Sequence, residues 1–129
     1  MREGEARGAQ QRRRGVWHVF GVAFVALVVY LSLAPRAPDA GTLVGVNIGH
    51  VLAYAWLMFW YAQLFTALAP RAGFALLFVA LGIALEFMQA LTPTRHFAVA
   101  DMRDDGLGVI GGWLFAAVTD RWTQAVRRL

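Results

Sequence analysis

The 129-residue sequence has no cysteine, which excludes disulfides, thiolate nucleophiles and thiol metal ligands from its chemistry. It has no lysine either; all twelve of its basic side chains other than histidine are arginines. Ser32 is the only serine. With no Gly-x-Ser-x-Gly elbow and no His-Glu-x-x-His pair, serine-hydrolase and zinc-peptidase readings fall away as well. Charge is scarce throughout, at 16% of residues against 59% hydrophobic, and the mean hydropathy of +0.53 lies outside the range of an ordinary soluble domain.

What the sequence does have is long apolar runs, at residues 16–34, 48–69, 72–91 and 106–118. The first three are long enough for a hydrocarbon core of about 30 Å at about 1.5 Å per residue. The fourth spans only if its helix starts near Asp101 and runs to about Trp122, with Asp101, Asp104 and Asp105 at the positive end of the helix dipole. The expected fold is all-α: a polytopic membrane protein built as a small bundle of about four transmembrane helices over residues 16–122. Residues 1–15 are polar and arginine-rich with nothing to bury, which predicts a disordered basic tail. Residues 123–129 form a second basic terminus.

The arginines set a topology. Arg2, Arg7, Arg12, Arg13, Arg14, Arg71, Arg121, Arg127 and Arg128 fall on one side of the spans, and Arg36, Arg95 and Arg103 on the other. The positive-inside rule then puts both termini in the cytoplasm, with the chain multi-pass in the membrane. The basic termini suit anionic headgroups; they are not interleaved with aromatics on a folded face, so nucleic acid is not an expected partner. The first run, with Ser32-Leu33-Ala34 behind it, has some features of a signal peptide but is too long for one, and an uncleaved anchor fits better. Pro35 and Pro38 end it.

Against this apolar background one stretch is densely polar: Glu86, Gln89, Arg95, Asp101 and Asp105, followed by Gly108, Gly111 and Gly112. An ionisable side chain in or beside a bilayer costs roughly 3 kcal/mol or more, so such a cluster calls for a use. The topology brings Asn47 and His50, at the start of the second helix, to the same depth as Glu86 and Gln89 near the end of the third. The candidate ligand-binding set is therefore Asn47, His50, Glu86, Gln89, Arg95, Asp101 and Asp105. Within it Glu86, His50 and Asp101 are the candidates for acid/base catalysis. A metal held by His50, Glu86, His96 and Asp101 lacks any short ligand spacing, and no metal or cofactor is expected. The first two helices supply no ionisable residue near the midplane, which argues against a proton or ion path. Gly45 and Gly49, and again Gly108 and Gly112, form small-xxx-small pairs suited to close helix packing.

These residues resemble the VanZ-like membrane proteins, a family named for a teicoplanin-resistance determinant. The resemblance covers about residues 43–118. Its pattern of a Glu, a Gln three later, Pro-x-Arg-x-Phe, an Asp, an Asn four later and glycines is met by Glu86, Gln89, Pro93-Thr94-Arg95-His96-Phe97, Asp101, Gly108 and Gly111, with Asp105 at the Asn position and His50 and Tyr54 matching an upstream element. Val46 and Asn47 stand where the family usually has Asp and Lys, and Asp105 where it usually has Asn. The resemblance implies a link to glycopeptide or lipopeptide susceptibility. The leading reading is a non-enzymatic protein of the cell envelope, placed in a bacterial inner membrane as the resemblance implies, whose outer polar layer binds an envelope lipid, a cell-wall precursor or a partner membrane protein. The alternative is a membrane-embedded enzyme that uses Glu86, His50 and Asp101 on a lipid head group.

Overall fold

The computed structural model describes residues 2–34, 41–43, 45–93, 97–120 and 124. In chain order they form α1 (Arg2–Leu33), β1 (Thr42–Leu43), β2 (Val46–Asn47), α2 (Ile48–Ala62), α3 (Leu68–Ala90) and α4 (Val99–Val118). The expected all-α class and four helices are present. Pro35, Arg36, Pro38, Arg95, His96 and Trp122 lie outside the described residues, as does most of the basic C-terminal segment, with Arg121, Arg127 and Arg128.

Three boundaries differ from the hydropathy pattern. The polar segment expected to be disordered is helical: α1 begins at Arg2 and is 32 residues long. Glu3 and Glu5 occupy its first turn, where the dipole favours carboxylates, and Glu3 and Arg7 have the i, i+4 spacing of a supporting pair. Once the apolar half of α1 is helical, extending it needs no second nucleation.

The second difference is at the α2–α3 connection. The apolar run continues to residue 69, yet α2 stops at Ala62. The amides of Gln63, Leu64 and Phe65 turn back to the carbonyls of Trp60, Tyr61 and Ala62, a tightened last turn. α3 already starts at Leu68, which places Pro70 in its first turn, where the N–H that proline lacks is not needed. Arg71 holds the turn closed: its Nε donates to Phe65 O at 2.6 Å and its Nη2 to Ala62 O at 2.9 Å. The same guanidinium grips Asp120 beyond the end of α4, at 2.7 and 3.2 Å. Arg71, one of the arginines counted on a single side of the spans, is a buried clamp, 3% exposed. Third, α4 starts at Val99, two residues before Asp101.

The helices run up, down, up and down. Trp17 of α1 stacks on Trp60 of α2 at 3.8 Å between ring centroids, and each indole N–H donates to the other residue's carbonyl at 2.9 Å. Tyr61, Phe74 and Phe78 continue this packing into a core that includes Tyr54, Leu57, Met58, Val109 and Ala116. The largest helix interface joins α2 to α4, which run parallel with α3 between them in the chain. Glycine makes that interface: a Cβ on Gly108 would run into Val51 O, and one on Gly112 into Ala55 O. Gly45 has a different task. It sits in the β1–β2 hairpin at φ 74°, a left-handed conformation that suits glycine, with nothing near its absent side chain. Two of the helices, α1 and α3, are long and apolar enough to cross a membrane. α2 has only 15 residues, and α4 carries Asp101, Arg103, Asp104 and Asp105 in its first two turns.

Candidate functional site

The polar end of the bundle is assembled from the hairpin upward. β1 and β2 pair antiparallel, Thr42 opposite Asn47, and deliver Asn47 to the position just before α2. There its side-chain Oδ1 accepts from the amides of Gly49 at 3.1 Å and His50 at 3.5 Å, satisfying donors that a helix start otherwise leaves orphaned. The cap fixes His50 in the first turn. Exchanging Asn47 for alanine is expected to cost about 0.5–2 kcal/mol, with Asn47→Ser recovering most of it, as read from thermal unfolding midpoints. Equal midpoints for the alanine variant and the parent chain would count against this role.

α4 supplies the facing carboxylates. His50 Nδ1 donates to Asp105 Oδ1 at 2.6 Å, and its Nε2 faces Asp101 Oδ2 at 3.7 Å, so a doubly protonated ring has a carboxylate on each side. Asp105 is nearly sealed and fits because α3 has a glycine opposite it: a Cβ on Gly82 would lie 2.6 Å from Asp105 Oδ2. Asp104 points to the other side, where its Oδ2 accepts from Asn47 N at 2.8 Å and its Oδ1 from Arg103 Nη2 at 2.9 Å. Arg103 Nη2 also donates to Gly45 O at 3.0 Å, tying hairpin to helix.

α3 contributes Glu86 and Gln89, three apart and both buried. Glu86 Oε1 accepts from the Ala98 amide, which holds the chain entering α4 against α3. Gln89 Nε2 donates to Ser32 O at 2.7 Å and ties the end of α1 to the same layer. Most of these polar groups face inward; the side chains of His50 and Asp101, 20% and 24% exposed, and the more exposed Arg103 are the accessible members of the cluster. No family model, curated protein or solved structure matches the chain. The site is therefore read from its geometry.

Of the residues the sequence singled out, Asn47, His50, Asp101 and Asp105 form one connected network, while Glu86 and Gln89 join the layer through main-chain partners. Arg95 falls outside the described residues. Among the described residues no group of three or more metal-ligating side chains could hold a metal ion. Three participants were not among the candidates: Asp104, Arg103 and Gly82. Gly82 left a visible signal, a glycine inside an apolar helical run one turn before Glu86.

Proposed function

We propose that this chain is an integral membrane protein of the cell envelope, similar to the VanZ-like proteins, and that its polar end binds a lipid-linked ligand without transforming it. The observation that carries this reading is an inverted distribution of polarity. Glu86, Gln89, Arg71, Asp104 and Asp105 are buried, while large apolar side chains such as Val19, Leu52, Leu76 and Leu114 face outward from every helix. Buried polar groups and a wide apolar exterior are the informative departures from a soluble surface, and a lipid environment accounts for both. In this reading all four helices enter the bacterial inner membrane, α2 and α4 reaching its outer face through their polar ends, and both termini lie on its cytoplasmic side. The three-helix cluster around His50 then sits where a lipid head group, or the head of a cell-wall precursor, would meet it.

The test pairs Glu86→Gln with Asp101→Asn in a host whose glycopeptide and lipopeptide susceptibility depends on the chain. A binding role should weaken ligand retention about tenfold, the loss of one charge-assisted hydrogen bond, with susceptibility shifting in step, whereas groups that transfer protons would lose about 10²–10⁴ of turnover. A folded double variant with no change in ligand retention or phenotype would remove the polar end from the function.

One observation favours an enzyme instead. The short His50–Asp105 bond resembles the orienting half of a catalytic dyad, with Nε2 left toward the accessible side. Loss of all turnover on a head-group substrate in Asp105→Asn, with binding retained, would decide for that reading.

A further inference from the structure

A second feature lies on a different face from the His50 cluster. Between α2 and α4 runs an open apolar cleft of about 230 Å³. Leu52, Trp56 and Phe59 of α2 and Phe115 of α4 form its walls, and Gly111 and Gly112 open its floor. The Phe59 and Phe115 rings, 5.1 Å apart, close its lower end. At Gly111 a side chain would meet nothing within 4 Å, so the depth of the cleft depends on the glycine there.

The cleft has a charged head. Gly111 lies seven residues after Asp104, two turns down on nearly the same line of α4. Asp104 in turn holds the guanidinium of Arg103 through Nε at 3.0 Å and Nη2 at 2.9 Å. Arg103 Nη1 takes no partner among the described residues, and the side chain is 53% exposed. The carboxylate beneath it is 2% exposed, so a ligand would meet the cation and not the anion. A guanidinium held in a fixed orientation above an apolar slot suits a phosphate with a hydrocarbon chain beneath it.

We propose that the α2–α4 cleft is a binding site for one chain of an anionic lipid, with its phosphate on Arg103. The inference rests on the membrane reading above but not on the role given to the His50 cluster. The cleft supplies chain contacts that any lipid of matching length can use, and Arg103 supplies the preference for negative charge.

The full-length chain, purified in detergent, is mixed with dioleoyl phosphatidylglycerol or dioleoyl phosphatidylcholine, and retained lipid is counted by native mass spectrometry. The parent chain should retain phosphatidylglycerol about fivefold better, the preference expected of one arginine near a lipid surface. Arg103→Gln should remove the larger part of that preference, any remainder belonging to the basic termini, while leaving phosphatidylcholine retention unchanged. Gly111→Leu, whose side chain enters open space, should reduce retention of both lipids about tenfold with the helical circular dichroism intact. Equal retention of the two lipids by the parent chain, or unaltered retention in Gly111→Leu, overturns the cleft. Carbonate extraction separates this result from the earlier proposal. A chain released into the soluble fraction defeats both, whereas a chain that stays in the membrane but fails the lipid comparison defeats the cleft alone.

Discussion

Replacing Arg71 with alanine is expected to lower the stability of the fold by about 2–4 kcal/mol, mostly from main-chain carbonyls left without their buried donor, with a smaller part from an ion pair whose Asp120 side is partly exposed. The guanidinium serves three places at once: Ala62 O at the end of α2, Phe65 O in the connection, and Asp120 after α4. Without it two carbonyls and a carboxylate lose their donors, and the connection loses the group that closes it. Lysine should not rescue it, because a single ammonium cannot span the fork of contacts that Nε, Nη1 and Nη2 make. Asp120→Asn should cost less, since Asp120 is about one-third exposed and an amide oxygen still accepts. The measurement is a thermal unfolding series in detergent. An unfolding midpoint for Arg71→Ala within a degree or two of the parent would show that the clamp is ornamental.

The second large effect is a contrast between neighbouring glycines. Gly112→Ala and Gly108→Ala should each cost about 2–3 kcal/mol, because the added methyl group meets main-chain atoms of Ala55 or Val51 and not a side chain that can swing away. Gly111→Ala, one residue from Gly112, should instead stabilise by up to about 1 kcal/mol through helix propensity alone, since its Cβ enters open space. The opposite signs make the pair a test of the parallel α2–α4 contact itself. If all three variants moved the unfolding midpoint in the same direction, that interface would be wrongly described.

Both predictions concern residues whose importance was unevenly visible in the sequence. The four helices follow from the apolar runs, and the convergence of Asn47, His50, Asp101 and Asp105 follows from helix order and depth. Helix ends were less legible. Hydropathy cannot distinguish apolar residues within a helix from apolar residues in the turn after it, so residues 63–67 read as continuous with α2. Pro70 falls between the second and third apolar runs, yet it lies inside α3, in a first turn where proline is at home. The polar half of α1 has nothing to bury, a criterion for disorder that takes no account of extension from an already formed helix.

Within the site, periodicity placed Asp101 and Asp105 on one face of α4 but left Asp104 aside, since it points toward the hairpin. Its partner there is the main-chain amide of Asn47, which side-chain patterning does not reveal. The same holds for Glu86, whose bond is to the Ala98 amide. Gly108 and Gly112 have the spacing of packing residues and lie in the α2–α4 contact. Gly45, given the same role, instead shapes the hairpin turn.

The parallel pairing of α2 and α4 also bears on how the chain is made. α4 follows the other three helices in the chain, yet it carries the carboxylates that His50 and the Asn47 amide need and the glycines that fit against Val51 and Ala55. During synthesis α1, α2 and α3 can gather through Trp17, Trp60 and Gln89, but the polar end stays unmade until α4 arrives. A ribosome stalled before α4 would therefore leave three helices with His50 unanswered, a form for quality-control proteases to recognise.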